Sequence, residues 1–306
     1  MKIGINGTGL VGKASTDAIA SHALEAHDQG FESYWIAEHP TGGFDALTVL
    51  TAVGLKVPQI KLGTAIIPTW PRHPSVLAGQ AKTTNNILNG RLILGIGLSH
   101  ASMMADLGMD FDKPIGHLRE YLHVLMPLIA EGVVDYTGQT LSARAKFFGK
   151  AHADLPVLVA ALGPQALRVA GRLADGTVLA WVGPKTITEH IRPTIYEAAE
   201  AAGRPEPQIV ASLPVCVTDN EKAIREKIGQ GLSLYGQLPS YRAMFDREGV
   251  DGPADLAIVG SKDQVLEGIE AMRAAGVREF APTEFVTNPE EAAATRALLK
   301  TLLVHG

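Results

Sequence analysis

The feature that most limits how this chain can fold is a strict alternation of short apolar runs with helix-like stretches. The runs are rich in Val, Ile and Leu, as strands buried on both faces of a parallel sheet usually are. They lie at residues 2–6, 33–37, 61–66, 91–97, 156–161, 176–182, 208–217 and 278–282. Helical patterns separate or follow them at residues 16–28, 44–55, 74–86, 115–129, 165–173, 185–201, 220–231, 262–275 and 289–304.

Eight strand–helix units can close into a (β/α)8 barrel, whereas an open doubly wound sheet usually has fewer strands and two recognisable halves. We therefore predict an α/β fold of the TIM-barrel type, a single domain over residues 1–306, with insertions in the βα-loops. Two segments, about 132–154 and 234–255, lack the repeating pattern. Each is either an elaboration of the active face or a solvated excursion, and both interpretations stay open at this point.

The expected helix ends carry matching local signals. Asn220 and Asp263 stand where N-cap residues belong, because their short polar side chains can accept a hydrogen bond from a free backbone N–H. Gly30, Gly203 and Gly276 stand just past predicted helix ends, where a left-handed backbone favours glycine. These signals support the alternation.

Composition narrows the class of protein. With 46% hydrophobic and 19% charged residues, the chain can supply a large core. The formal net charge is -5 and there is no basic run, which argues against nucleic acid as a partner. Cys216 is the only cysteine, so neither a disulfide within the chain nor a cysteine-rich zinc site can form. Because no apolar run approaches ~20 residues and the first residues do not resemble a signal peptide, we expect a cytoplasmic protein without membrane contact.

Residues 7–12 read Gly-Thr-Gly-Leu-Val-Gly, which matches the G-x-G-x-x-G fingerprint of dinucleotide-binding Rossmann domains. Two features argue against that interpretation. The helical pattern is better capped later, near Ser15 or Thr16, and the next strand runs into Glu38-His39-Pro40 rather than ending in one ribose-binding acid. We interpret the motif as a glycine-rich first βα-loop at the barrel mouth and keep a Rossmann dehydrogenase as an alternative.

Four segments at the ends of predicted strands two to five carry a family resemblance. They are residues 34–39, 62–68, 90–97 and 159–164, the last followed by 170–176. Together they resemble the luciferase-like superfamily, and most of all its F420-dependent oxidoreductases. The resemblance covers nearly the whole chain in the right order and implies a barrel whose C-terminal mouth holds a flavin or deazaflavin, since βα-loops build the active sites of such barrels.

The resemblance implies specific roles at these strand ends. His39 matches a position that contacts cofactor or substrate, and the 65–66 bond matches a non-proline cis peptide of the family. Where many F420 relatives have a glutamate that is a proposed proton donor, this chain has His100, which can also act as an acid or base near neutral pH. His39 and His100 are therefore the candidate catalytic residues. The replacement makes a sugar-phosphate substrate doubtful.

The turn at residues 161–166 leads into a helix whose free N–H groups can bind an anion, and the resemblance assigns the cofactor phosphate to it. Leu162 replaces a glycine of many relatives, and Pro164 has no N–H to offer. With the first loop and the end of strand six added, the candidate cofactor contacts are Gly7, His39, Thr64, Ala65, Ile66, Gly97, Leu98, Ser99, Ala160, Ala161, Leu162, Gly163, Gln165, Ala166 and Trp181.

The functional hypothesis is hydride transfer between coenzyme F420 and a small organic substrate. A reduced-FMN monooxygenase on the same scaffold is the nearest alternative, and a non-catalytic flavin-binding protein is an alternative of another class. No metal site is expected: His117, Glu120 and His123 have helical spacing, but they do not follow a strand, so we interpret them as a solvated helix face. The resemblance is also compatible with a homodimer.

Overall fold

The eight predicted strands are all present and close on themselves. The computed structural model describes residues 1–149 and 154–305. The barrel closes because the first strand pairs in parallel with both the second and the eighth: Ile5 lies opposite Tyr34, and Lys2 lies opposite Glu279. The strands are β1 (Lys2–Ile3 and Ile5–Asn6), β2 (Ser33–Ile36), β3 (Lys61–Thr64), β4 (Leu92–Gly97), β5 (Val157–Ala160), β6 (Gly176–Ala180), β7 (Gln208–Ser212) and β8 (Glu279–Phe280).

Helices surround the barrel, and three strands continue beyond it. Strand β3 resumes as Ile67–Pro68, β7 as Pro214–Val217 and β8 as Thr283–Glu284, and an added strand, Ile258–Gly260, pairs with the β7 extension. The long helices are Thr16–Asp28, Ala46–Lys56, Pro74–Ile87, Pro114–Ala130, Pro164–Leu173, Arg192–Ala201, Glu221–Gly231, Lys262–Ala274 and Pro289–Thr301. The remaining helical segments are Thr8–Val11, Ala101–Asp106, Pro184–Thr186, Ile187–Ile191, Ser233–Gln237, Pro239–Glu248, Pro253–Leu256 and Leu302–His305. Within residues 1–149 and 154–305, no helix has both the length and the apolar character needed to cross a bilayer.

Local chemistry sets the helix ends. Asn220 is an N-cap as predicted, since its side chain accepts a backbone N–H three residues on, at 3.3 Å. The prediction for Asp263 was wrong: Ser261 caps that helix and forms a capping box with Gln264, so the helix begins earlier. Gly30 has a φ of 92°, a conformation that costs little only for glycine.

Segment 132–154 connects a helix to β5, so it is an αβ connection and not the βα-loop that we expected of an insertion. Its described part is an antiparallel hairpin of Val133–Thr137 and Ser142–Lys146. Residues 150–153 of the segment lie outside the described residues. The hairpin contacts the helix Pro114–Ala130 and covers part of its outer face.

That contact overturns the prediction that His117 and Glu120 lie on a solvated helix face, because both are buried. The Glu120 carboxylate accepts N–H bonds from the hairpin turn at 2.8–2.9 Å. Burial alone would raise its pKa, but these bonds and one from the Thr140 hydroxyl lower the pKa to about 2. His117 stacks on Trp70 with ring centroids 3.9 Å apart. Only His123 of the three is exposed.

The lower half of the barrel interior is filled by Trp35. Its ring packs in one buried cluster with inward-facing residues of β4 to β8, and its Nε1 donates to the buried Glu279 carboxylate at 2.6 Å. Gly63 makes the space for it, since a Cβ at that position would collide with the indole ring. The residues one step higher on the strands, Ala65 and Ala160 among them, rest on this cluster.

A buried ion pair joins the helix Pro289–Thr301 to the end of β8, beside the helix Thr16–Asp28. Arg296 pairs with Glu284, and both side chains are only about a tenth exposed. Arg296 also lies 3.1 Å from His22 Nε2, and His22 Nδ1 lies 2.9 Å from the Tyr34 hydroxyl. Burial alone would raise the pKa of Glu284, but bonds from His22 and Arg296 hold it below its ordinary value.

We predict that Arg296→Leu lowers the free energy of unfolding by about 3–5 kcal/mol, because it leaves the Glu284 carboxylate buried without its partner. Urea unfolding of the purified protein measures this. The double variant Glu284→Leu/Arg296→Leu should recover most of the loss, since no buried charge remains. Arg144→Leu, which breaks the exposed pair with Asp135, is the matched control and should cost less than about 1 kcal/mol. A double variant as unstable as the single one would contradict this explanation.

Candidate active site

The carboxyl ends of β2, β3, β4 and β5 meet in one place, as the sequence predicted. Glu38 N–H, just after β2, donates to the Ile66 carbonyl at 2.9 Å. Gly97, at the end of β4, lies so close to β3 that a Cβ on it would be 3.1 Å from the Ile66 side chain and 3.1 Å from the Ala160 Cβ. Gly97 is also the register partner of Ala160 in β5. The four strand ends therefore form one continuous surface.

The expected cis peptide bond is present between Ala65 and Ile66. His39 is half-buried in the turn that follows Glu38, directly beside this segment. Thr64 differs from the other candidates because its hydroxyl is already used: it donates to the Gly95 carbonyl and accepts the Gly95 N–H, both at 2.8 Å. The Thr64 side chain thus joins β3 to β4 and is fully buried.

Small residues line this half of the barrel mouth. Ala65, Gly97 and Ala160 form what we call the apolar floor, which rests on the buried cluster around Trp35. A shallow apolar surface of this kind can support a flat ring system. All three residues are candidate cofactor contacts that the family resemblance named.

The opposite half of the mouth is polar, and sequence reasoning missed it. Asn6 Nδ2 donates to Ser212 Oγ at 3.1 Å, and Ser212 Oγ lies 3.4 Å from Thr283 Oγ1. We call these three residues the polar trio; they come from the ends of β1, β7 and β8. The signal was available, because alternation along a strand gives Ser212 the same inward face as Val210. We did not predict a role for Ser212 because the run 208–217 was interpreted as an apolar strand throughout.

Segment 234–255 reaches the mouth through two tyrosines, which also went unpredicted. Tyr235 and Tyr241 lie with their ring centroids 5.1 Å apart, and the His100 ring is 6.3 Å from the first and 5.8 Å from the second. Trp181, after β6, lies 5.6 Å from Tyr235. We call Trp181, Tyr235 and Tyr241 the aromatic wall. Of the two interpretations left open for this segment, the contacts favour an elaboration of the active face.

His100 is half-buried beside this wall. Burial lowers the pKa of its imidazole below the ordinary 6.5, because a charged ring would lose hydration there. The ring is therefore mainly neutral at pH 7 and can accept a proton. Ser99, the residue before it, has a φ of 62°, which turns the chain sharply after Leu98.

Trp181 is the other candidate residue with an unusual backbone, with a φ of 57°. Its indole N–H is buried and, within the described residues, makes no hydrogen bond of ordinary geometry; it faces the Tyr235 hydroxyl and offsets part of the rise that burial causes in the pKa of that phenol. Buried donors are nearly always paired in proteins, so a free one at the mouth fits a site that takes up a ligand. This is one observation that fits a bound cofactor.

The turn after β5 presents an open helix start. Gly163 is the N-cap, no side chain caps the helix, and the first bond back along the helix is Leu167 N–H to the Gly163 carbonyl at 3.0 Å. The amides of Gln165 and Ala166 precede that bond, so they are free to bind an anion. His190 Nε2 lies 2.8 Å from the Leu162 carbonyl, and this hydrogen bond holds the turn in place. Ala161 is buried, whereas Leu162 is partly exposed.

An ion pair fixes the second and third loops. Arg72 Nη2 lies 3.1 Å from Glu38 and 2.8 Å from Asp45. The pKa of Glu38 lies above its ordinary value because the carboxyl group is buried. The hydrogen bond from the Ala46 N–H and the charge of Arg72 offset part of that rise. Because Glu38 is engaged in this way, the pair sets the position of the neighbouring His39 backbone.

Gly7 has a packing role in the structure. A Cβ on it would collide with the Tyr34 hydroxyl, and its N–H donates to the Trp35 carbonyl at 2.8 Å. The rest of the 7–12 motif forms only the four-residue helix Thr8–Val11, and the main helix begins at Thr16 with Ser15 as its cap. In a closed barrel this motif does not form a Rossmann site.

Comparison with known proteins agrees with this geometry. The family model described as luciferase-like monooxygenase matches residues 4–279. The chain is 28% identical over 244 residues to a 5,10-methylenetetrahydromethanopterin reductase of Methanolobus tindarius, covering 79% of this chain and 74% of the relative. It is 31% identical over 216 residues to an F420-dependent glucose-6-phosphate dehydrogenase of Kineococcus radiotolerans, covering 66% and 64%.

Solved structures give the same fold. A coenzyme F420-dependent tetrahydromethanopterin reductase from Methanopyrus kandleri superposes with a TM-score of 0.81 at 24% identity, covering 99% of this chain and 97% of that one. A type II Baeyer–Villiger monooxygenase from Pseudomonas putida, in complex with FMN, superposes with a TM-score of 0.76 at 18% identity, covering 99% and 96%. The barrel prediction is thus confirmed, and the chain belongs to the luciferase-like monooxygenase family and resembles its F420-dependent oxidoreductases.

Proposed function

We propose that this protein is an F420-dependent oxidoreductase that acts on a small organic molecule. The observation that carries the proposal is the continuous surface formed by the ends of β2 to β5, with an open helix start at Gly163 on the same end of the barrel. The relatives named above that use F420 support the choice of cofactor. The FMN complex on the same fold makes FMN the competing ligand in the test.

The residues present fit a tricyclic cofactor with a phosphorylated tail. Ala65, Ile66, Gly97 and Ala160 would lie under the ring system, and the free N–H groups of Gln165 and Ala166 would bind a phosphate. Trp181 Nε1 offers an unpaired donor nearby. Gly7, Leu98, Ser99, Ala161, Leu162 and Gly163 remain candidate contacts through their backbones. When bound, F420 supplies two-electron hydride transfer, and the protein positions the reactants and excludes water.

His39 and His100 have separate roles in this proposal. His39 follows Glu38, whose pairing with Arg72 fixes the turn, so it can orient the reactants. His100 holds or accepts the proton that accompanies hydride transfer, because its lowered pKa keeps the imidazole neutral at pH 7. Its ring is bounded by Tyr235 and Tyr241, which limit the approach of water.

We predict that the purified protein binds F420 more tightly than FMN, and that Ala160→Leu weakens F420 binding at least about tenfold, since the larger side chain would fill the apolar floor. Fluorescence titration with each cofactor measures both dissociation constants. Gly9→Ala is the control: a Cβ there meets nothing within 4 Å, so F420 binding should not change. Tighter FMN binding would instead favour a monooxygenase, and loss of NAD binding in Gly9→Ala would favour a dehydrogenase of the Rossmann type.

We predict that His100→Gln lowers kcat by about 10²–10⁴-fold while the F420 dissociation constant stays the same. If His100 accepts the proton, wild-type activity is present above its pKa and is lost as pH falls through a value below 6.5, where the ring becomes charged. Kinetics over a pH series, with a substrate found in a panel of alcohols, enones and imines, tests this. The exposed His123 provides the matched control, His123→Gln, which should keep the wild-type profile.

A profile that His100→Gln leaves unchanged would remove this residue from proton transfer. Binding of F420 without turnover of any compound in the panel would favour the non-catalytic flavin-binding alternative. Each result is separate from the cofactor titration, so a wrong assignment of His100 does not affect the assignment of the cofactor.

A further inference from the structure

We infer that the substrate is an uncharged molecule with an alcohol or ketone oxygen, which binds the polar trio while the apolar part of the molecule packs on the aromatic wall. This inference rests on the proposed function and adds the substrate class to it. It comes from the half of the mouth opposite the apolar floor, which the cofactor assignment leaves unused.

The polar trio has the right chemistry for a neutral oxygen. One amide and two hydroxyls can both donate and accept hydrogen bonds. The Asn6 carbonyl is already engaged, because Oδ1 accepts the Thr8 N–H at 2.9 Å, and this bond orients the amide toward Ser212. Ser212 is 6% exposed, so a ligand oxygen that bonds to it would be largely removed from water. A hydroxyl or carbonyl can then replace the water that such groups otherwise bind.

The aromatic wall is continuous with the trio. The Trp181 backbone N–H donates to the Ser212 backbone carbonyl at 3.3 Å, so the first residue of the wall lies beside the end of β7, the strand that carries Ser212. From there the contacts run through Tyr235 to Tyr241 and to His100. A molecule whose oxygen binds the trio would therefore present its carbon skeleton to these rings, which bury apolar area well.

The charges around this half of the mouth argue against an anion. The trio and the wall contain no ionised side chain, and burial keeps the pKa of His100 below its ordinary value. Arg296, the cation beside the trio, pairs with Glu284, the residue after Thr283. Arg72 lies at the other half of the mouth, where it pairs with Glu38 and Asp45. A carboxylate or phosphate would lose hydration there without gaining a counter-ion from these groups, which is unfavourable.

The test compares two ligands with the same ring, cyclohexanone and cyclohexanecarboxylate, on protein loaded with F420. Saturation-transfer NMR titrations give the affinity of each one without turnover. We expect cyclohexanone to bind and the carboxylate to bind at least about tenfold more weakly. The double variant Ser212→Ala/Thr283→Val should weaken cyclohexanone at least about fivefold, since it removes two hydroxyls, and should leave F420 affinity unchanged. Ser240→Ala/Thr188→Val, at exposed positions, is the matched control and should bind like wild type.

A second variant tests the wall without touching the barrel strands. Tyr235→Arg places a cation beside Trp181, so it should improve carboxylate binding and weaken cyclohexanone. Tyr196→Arg, on an outer helix, should change neither affinity. Thermal unfolding checks that each variant is folded. The inference is overturned if the carboxylate binds wild type as well as the ketone does, if neither ring compound binds the F420-loaded protein, or if both sets of variants leave the affinities unchanged. Failure of the proposed function looks different, because F420 itself would then not bind.

Discussion

The position of the Trp35 side chain inside the barrel is the constraint on which the candidate active site depends. The indole fills the lower interior, is anchored to the buried Glu279, and fits only because Gly63 has no side chain. Ala65, Ile66 and Ala160 rest on this full lower layer, and the two alanines keep the layer above it shallow. A full lower layer and a shallow upper layer are what leave a floor at the mouth for a flat ligand.

The upper layer then divides into two halves with different chemistry. Over β2 to β5 it is apolar and bordered by free backbone N–H groups, which suits a flat ring with an anionic tail. Over β1, β7 and β8 it offers an amide and two hydroxyls. His100 lies beside the aromatic wall, and its neutral imidazole suits the proton transfer that we propose for it.

The sequence was informative wherever the cause of a structure is local or periodic. Alternation predicted the closed barrel, and the family resemblance of the segments at the ends of strands two to five predicted that the turns carrying Ile66, Gly97 and Ala160 meet. It failed where the cause lies in distant contacts: Glu120 is buried because a hairpin twenty residues later folds back on it. Ser261 and Asp263 both have side chains that can cap a helix, and they are only two residues apart. In the folded chain Ser261 is the cap, and it forms a capping box in which its own side chain and that of Gln264 both bond to the backbone.

The positions of the two tyrosines at the barrel mouth also depend on distant contacts, and the sequence did not predict them. Tyr235 and Tyr241 lie on short helices in a segment without strand or helix periodicity of its own, so nothing local predicts where their rings lie. Their position follows from the packing of the helix Pro239–Glu248 on the helical segment Pro184–Thr186 after β6. The Glu248 carboxylate of the same segment accepts the Lys185 and Thr186 N–H groups at 3.1 and 2.7 Å, which ties it to the loop after β6. That loop also carries Trp181, so one tie positions the tryptophan and the tyrosines relative to each other. A change within the segment 234–255 would therefore reshape the aromatic wall, while the strand ends that form the apolar floor stay as they are.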